Sequence, residues 1–343
     1  MQPRLRAIAT AVPPHPIERE DAEAMARLLF GDMVERLGPV HANAGIERRW
    51  SCVPLDWYGR PHGWRERSAL FVENGVALAS QAIAACLSRA GIGLDGVDAL
   101  VAVSSTGVCT PSLDALLIQH LRLRPDVVRL PIFGLGCAGG ALGLARAAAL
   151  AQALSGRNVL LVVVELCGLT FRPQDRSPGN VVATALFGDG AAAALLSTKA
   201  DGPAITHWGE HTWPDSLDVM GWRVEEDGLG VLFSRDIPPL IARHFRPALD
   251  GWLGRHGLGR ADVAGYLCHP GGAKVVTALE EALELPSGTL AHERAILRGF
   301  GNMSAATVMF VMERGLSQSS LTGPTVAAAL GPGFTAGFVL LEP

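Results

Sequence analysis

Two distant stretches of this chain carry the same signals in the same order, and an internal duplication of that kind limits the folds open to it more than any single motif does. In the first, a helix-like run from Val72 to Ala90 is followed by GIGLDGVDALVAVSS; in the second, a helix-like run from Ile241 to His256 is followed by GLGRADVAGYLCHPGG. Each is a Gly-rich helix exit that passes through Asp and Val into a short apolar run suited to a buried strand. Further on, Leu130 to Gly136 reaches a Gly/Ala-rich turn and a long alanine-rich helix, while Ile296 to Gly301 reaches Asn302 and a comparable helix. Each stretch closes on a Gly turn feeding an apolar strand, TALFGDGAAAALLS in one and AALGPGFTAGFVLLE in the other. Ser104 and Cys137 stand 33 residues apart, as do His269 and Asn302. Cys137 and Asn302 are therefore expected at equivalent strand-to-helix corners.

Helices alternating with buried strands predict an α/β fold in which helices cover mostly parallel sheets. Thr198 to Pro214 is a looser stretch rich in Gly, Pro and polar residues, which places the junction of two halves there, 1–205 and 206–343. With 343 residues and 49% hydrophobic composition the chain can bury a sizeable core. A net charge of −4 leaves no basic field to hold nucleic acid or an anionic membrane surface, so neither is expected as a partner. The six cysteines show no paired or C-x-x-C spacing, which argues against disulfides and a zinc site and fits a reducing cytoplasm. The N-terminal apolar run is short and broken by prolines, and runs such as Asn158 to Leu166 are strand-length. No signal peptide and no transmembrane segment is expected.

Three residues can carry chemistry. Cys137, in LPIFGLGCAGGALGLARAAALAQAL, lies between an apolar strand and an alanine-rich helix, flanked by Gly136, Gly139 and Gly140. Unpaired N–H groups and the dipole at a helix N-terminus favour thiolate, and small neighbours admit a bulky thioester. An isolated cysteine of this kind is more often structural. His269 follows the strand Val263 to Cys268, and Pro270 biases it toward extended backbone. Asn302, in GFGNMSAATV, opens a helix; it is either an N-cap or a site residue, and both only if its side chain turns inward. Phe187, in ALFGDG, is core packing on its own terms. GPGFTAGF looks like a phosphate-cradling loop, but it lacks the P-loop lysine and precedes a strand.

Taken together, FGLGCAGG, LFGDGAAA, HPGG, GFGNMSAA and GPGFTAGF occur in the order and spacing of chalcone synthase-like type III polyketide synthases, and the chain resembles that family over nearly its whole length. The resemblance implies a thiolase fold, two duplicated α/β halves in an αβαβα layering. It also implies a Cys-His-Asn triad of Cys137, His269 and Asn302. Cys137, paired with His269 as thiolate and imidazolium, would take the acyl starter from CoA. His269 and Asn302 would donate to the thioester oxygen of malonyl-CoA as carbon dioxide leaves. Phe187 falls on the family's gatekeeper between the CoA tunnel and the reaction cavity. Acyl-CoA and malonyl-CoA are the implied substrates, with no metal or other cofactor, and a homodimer is the implied assembly.

Within the family, VSSTGVCTPSLDA, VVVELCGLTFR and WPDSLDVMGW are similar to bacterial enzymes that make alkylresorcinols or alkylpyrones from long-chain acyl starters. Plant chalcone synthases carry a methionine where Thr110 falls and a phenylalanine near Val231. Ser105, Thr110, Cys167, Thr170, Gly221, Val231 and Ser304 are the expected cavity lining, with the alignment near Val231 shifting by about one residue. Arg48, Arg49 and Arg65 could meet CoA phosphates or form a solvated face. Alternatives are a chalcone or tetrahydroxynaphthalene synthase-like enzyme with a small or aromatic starter, a ketoacyl synthase III-like enzyme, a cysteine hydrolase, and a non-catalytic scaffold. Neither starter length, nor the number of extensions, nor aldol against lactone closure is readable.

Overall fold

A computed structural model of the chain describes residues 1–318 and 320–343. The chain opens with β1 (Arg4–Ala11), β2 (His15–Glu18), three helices α1 (Arg19–Phe30), α2 (Asp32–Arg36) and α3 (Val40–Asn43), and β3 (Arg48–Ser51), which pairs with β2. The first repeat runs α4 (Trp64–Ala90), β4 (Ala99–Ser104), α5 (Leu113–Leu121), β5 (Val128–Phe133), α6 (Gly139–Ala153), β6 (Val159–Leu166), α7 (Pro178–Leu186) and β7 (Asp189–Ser197). The second begins with β8 (Ala204–Thr212), the hairpin β9 (Met220–Val224) and β10 (Leu229–Phe233), and α8 (Ile237–Arg255). It continues through β11 (Gly265–Cys268), α9 (Ala273–Ala282), α10 (Ala291–Phe300), α11 (Ala305–Gln318), β12 (Thr325–Gly331) and β13 (Thr335–Glu342).

The nine long strands follow the order β11-β12-β13-β8-β1-β7-β6-β4-β5. The two halves touch in this order at a single residue pair, Arg4 with Ala204. On either side of that seam the order is mirrored: β8-β13-β12-β11 against β1-β7-β6-β4. The duplication read from the sequence is thus present in the strand order, with two departures. The sheet is mixed, not mostly parallel: β4 pairs in parallel with β5 and β6, and β11 with β12, while β7 and β13 run back against β6 and β12. A strand that returns through a tight turn, as β13 does after Gly331, must be antiparallel. Second, Ile296 to Gly301 lies mostly in α10, so β5 has no strand counterpart in that segment. The stretch from Thr198 to Pro214 holds β8, whose half-exposed His207, Glu210 and His211 made it look like a loop.

Because side chains alternate across a strand, residue parity tells which layer each one meets. Val101, Val103, Leu161, Val163, Ala327 and Val339 face a central layer of α6 and α11. Leu100, Ala102, Leu160 and Val162 face α4 on one outer side, and Val326, Ala328, Phe338 and Leu340 face α8 and α9 on the other. The result is five layers, the αβαβα arrangement of a thiolase fold. Strands buried on both faces explain the unbroken apolar runs. α4 is long and apolar enough to cross a bilayer by length and composition, yet its Phe71, Leu78, Ile83 and Cys86 pack on the sheet, where each fully buried large side chain contributes roughly 1.5–3 kcal/mol.

The two central helices meet at their N-termini with no room between them. A Cβ on Gly140 would lie 2.3 Å from the carbonyl oxygen of Ala305 and 2.4 Å from Val308 Cγ1, and one on Gly139 would lie 3.0 Å from Ala305 Cβ. Helix propensity alone favours Gly140→Ala by about 1 kcal/mol. The backbone carbonyl of the facing helix cannot yield, so we predict instead a loss of about 1–3 kcal/mol, measured by urea denaturation. A stabilised variant would refute the close approach.

Candidate active site

Cys137 sits in a single tight turn, Gly136–Ala138, immediately before α6. Three contacts fix that turn. The Gly136 N–H donates to Ser105 Oγ at 2.8 Å. Gly136 has φ +45°, a left-handed conformation that disfavours a side chain, and a Cβ there would lie 2.5 Å from Pro332 Cδ. From the other side, a Cβ on Gly331 would lie 2.5 Å from Leu135 O. GPGF is therefore a brace pressed against the cysteine turn, and not a phosphate loop.

Asn302 faces Cys137 across the central helices, with Sγ 3.9 Å from Oδ1. The same Oδ1 accepts the Ser304 N–H at 2.8 Å, and Nδ2 donates to Gly271 O at 3.1 Å, two residues beyond His269. The side chain thus organises the turn before α11 and points inward, leaving one N–H free for a ligand. Its backbone clamps Phe187: Asn302 N–H donates to Leu186 O and Gly188 N–H donates to Asn302 O, bracketing Phe187 in an isolated bridge. His269 is held through its backbone, donating to Ala328 O at 2.8 Å, and by its neighbour Cys268, whose N–H donates to Glu293 Oε1 at 2.7 Å.

The His269 ring is 3% exposed, and neither ring nitrogen has a hydrogen-bond partner among the described residues. An orphaned buried donor costs about 1–3 kcal/mol, so this imidazole is placed for an acceptor such as a thioester oxygen. Burial pushes its pKa down to about 3, and burial pushes the Cys137 thiol up to about 12. Hydrogen bonding with Ser304 and Asn302 offsets only part of that rise, and the Glu165 charge adds to it. Burial thus favours the neutral form of each group taken singly and opposes the thiolate–imidazolium pair, although Cys137 itself is only partly buried. Either charge alone would be buried unpaired; the pair is reached by moving the proton from sulfur to the ring.

Glu165, at the end of β6, was not singled out from the sequence. It is fully buried and accepts from Ser105 N at 3.0 Å, Thr106 Oγ1 at 2.8 Å and Ser304 Oγ at 3.2 Å. Burial raises its pKa to about 7 despite those donors. It ties the strand that holds the cysteine turn to Ser304, whose φ of +48° is strained for a residue with a side chain. A buried Glu ending a Val/Leu run was the available signal.

Three cavities adjoin. Cys137 opens on one of about 40 Å³, lined by Phe187, Gly221, Trp222, Leu232, Phe233, Ser304 and Pro332. Phe187 also lines a second, apolar cavity of about 60 Å³ with Cys167, Thr170, Phe171 and residues of α1 including Met25 and Leu29. Phe233 also lines a third, a cleft of about 440 Å³ whose walls include Arg36, Arg235, Lys274, Gly271 and Gly272.

Of the expected lining, Gly221 and Ser304 reach the cysteine cavity and Cys167 and Thr170 the apolar one. Ser105 is fully buried and holds the cysteine turn instead. Thr110 is exposed on the loop after β4 and lines none of these cavities. Val231 lies against Gly179 on the opposite face of β10, and the next residue, Leu232, lines the cavity, a one-residue shift that reverses facing in a strand. Arg48 pairs with Glu18, Arg65 is exposed and Arg49 lines the apolar cavity, so none of the three is in the basic cleft. Arg36, Arg235 and Lys274, distant in sequence, were not singled out.

A duplicated five-layer fold with a cysteine, a histidine and an asparagine where its halves meet defines a thiolase-fold condensing enzyme, an acyltransferase. Sequence profiles described as the N-terminal and C-terminal domains of chalcone and stilbene synthases match residues 59–200 and 207–342. The chain belongs to that family, the malonyl-CoA-dependent type III polyketide synthases. It is 37% identical to a putative chalcone synthase of Bacillus subtilis (98% of this chain, 97% of the relative). It is 38% identical to the 1,3,6,8-tetrahydroxynaphthalene synthase of Streptomyces peucetius (98% and 92%). The crystal structure of PKS-I from the brown alga Ectocarpus siliculosus superposes with a TM-score of 0.93 at 27% identity, covering 99% of this chain and 98% of that one. The tetrahydroxynaphthalene synthase of Streptomyces coelicolor gives 0.92 at 27% identity, with 99% of each chain covered.

The charge state of the resting thiol is directly testable. With Cys137 pushed up to about 12, its alkylation by iodoacetamide in substrate-free enzyme should climb with pH from 7 to 10 without levelling. A rate already flat at pH 7 would mean a preformed thiolate.

Proposed function

We propose that the enzyme primes Cys137 with a long-chain fatty acyl group, extends it with malonyl-CoA, and closes the product to an alkylpyrone or alkylresorcinol. The observation that carries the starter assignment is the apolar cavity behind Phe187. Its walls from Ile17, Ala22, Met25, Ala26 and Leu29 suit an alkyl chain and offer an aromatic one few polar contacts. Phe187 is the residue common to this cavity and the one on which Cys137 opens.

In this reading the Cys137 thiol gives its proton to His269 and attacks the starter thioester, and CoA leaves as a thiol by taking that proton back. Malonyl-CoA then enters by the basic cleft. Arg36, Arg235 and Lys274 face no carboxylate among the residues lining it, and they suit the CoA phosphates. Loss of carbon dioxide leaves the electron pair on the CoA thioester as an enolate, held by the free His269 and Asn302 N–H groups. Its carbon attacks the Cys137 thioester, sulfur leaves, and the lengthened chain returns to Cys137 for the next round. Oxidation state is unchanged overall, so the cycle balances with CoA thioesters alone and we infer no metal or redox cofactor. We place the enzyme in the cytoplasm, where Cys137 stays reduced, as a homodimer; a fully active monomer on sizing would contradict the latter.

The 38% identity with a tetrahydroxynaphthalene synthase favours, as a second reading, a small starter and an aromatic product. One assay separates them: purified enzyme with malonyl-CoA and a series of acyl-CoA starters, beside Cys137→Ala. We expect long-chain pyrones or resorcinols, absent in the variant. Turnover no better with long chains than with acetyl or coumaroyl starters would remove the long-chain assignment, and product from the variant would remove Cys137. A second expectation concerns the cleft. Removing Arg235 and Lys274 together should raise KM for CoA thioesters about tenfold, the worth of one charged hydrogen bond, and leave KM for the matching N-acetylcysteamine thioesters unchanged.

A further inference from the structure

The apolar cavity contains a cationic group that an alkyl chain cannot use. Arg49 is only 9% exposed and lines that cavity, yet its guanidinium takes part in no hydrogen bond or ion pair within reach among the described residues; Asp189 and Tyr58 act on it only through their fields. Asp189 is committed elsewhere, accepting the N–H groups of Cys52 at 2.8 Å and Gly168 at 2.7 Å. No Arg49 nitrogen is among the fully shielded, unpartnered polar atoms, so the guanidinium keeps an accessible face in the cavity that a ligand's acceptors can meet.

Its position says which part of a ligand it meets. The Arg49 Cβ lies 3.2 Å from where a Gly188 Cβ would be and 3.3 Å from that of Gly301, one residue from the gate Phe187 and one from Asn302. Arg49 is therefore rooted at the inner end of the cavity, while Met25 and Leu29 of α1 supply its apolar wall. A chain held on Cys137 has the same order: thioester, then the newly added keto carbons, then the alkyl tail. The carboxylate of the extender is a poor fit, because Arg49 does not line the cysteine cavity and a guanidinium on that carboxylate would oppose loss of carbon dioxide.

Resting on the acyl reading above, we propose that Arg49 recognises the growing chain by its 1,3-dicarbonyl unit. Two carbonyl oxygens on one side present acceptors to the guanidinium fork much as a carboxylate does, and the alkyl tail lies along α1. Arg49 is then a binding residue for intermediates, not for the starter.

The test uses the full chain with Arg49→Met and with Arg49→Lys, which keeps the charge and loses the fork. Starter loading is read alone, without malonyl-CoA, as the mass of the acyl-enzyme at Cys137. Extension is read as the number of malonyl units in each released product. We expect loading within twofold of wild type, while the fraction of fully extended product falls about tenfold in Arg49→Met, as for a lost charged hydrogen bond, with Arg49→Lys between. An unchanged product profile in a folded variant overturns the assignment. So does loading that falls in step with extension, or failure of both variants to fold, which would make Arg49 a structural counter-ion of Asp189. If wild type loads no long-chain starter, the starter reading fails separately, and the same comparison is made on the products of whichever starter it takes.

Discussion

The arrangement depends on two helix N-termini that touch backbone to backbone. Among the described residues α6 and α11 form the layer both halves share, and Gly140 lets them approach until a single methyl group would strike the Ala305 carbonyl. That approach brings the turn carrying Cys137 and the turn carrying Asn302 within 3.9 Å of each other, although they belong to different repeats. Neither half contains the site. A duplication packed about its central helices creates it at the seam, where the two N-terminal dipoles converge and where negative charge on a sulfur or an enolate oxygen is favoured.

The same packing sets the electrostatics. Burial pushes the Cys137 thiol up and the His269 imidazole down, and it draws the buried carboxyl of Glu165 up to about 7 despite its donors. Such a site disfavours isolated charge of either sign, and it favours paired charge or charge spread over an enolate with two donors aimed at it. His269 serves that need because nothing else in the fold occupies its ring nitrogens. An imidazole tied to a carboxylate, as in many hydrolase triads, would be more basic and already committed.

Much of this was legible because the features concerned are local. Turn glycines, apolar runs and motif order placed the cysteine, histidine and asparagine corners and the paired repeats. What failed depends on relations that sequence does not carry. Strand direction in the sheet is set by which strands become neighbours, so the antiparallel β7 and β13 were missed. Val231 was chosen where Leu232 lines the cavity because the pleat reverses facing with every residue. The basic cleft joins α2, the start of α8 and the start of α9, and no periodicity links Arg36 with Arg235 and Lys274. For the expected ion pair, the helix dipoles that favour it can be inferred from sequence, but the burial that opposes it cannot.

Two aromatic side chains give these parts their order. Phe233 is common to the cysteine cavity and the basic cleft, and Phe187 is common to the cysteine cavity and the apolar one. An iterative condensation has to admit a charged CoA thioester at every round while its own product, still covalently held, grows longer. If both used one passage, each extension would block the next. In the proposed cycle, separate spaces on either side of the thiol would remove that conflict, with the chain moving past Phe187 as CoA exchanges past Phe233. Phe187 is bracketed by backbone hydrogen bonds to Asn302, so the two residues form a single rigid unit. On that proposal, how far a chain is extended depends on how well the space beyond Phe187 holds what has already been made.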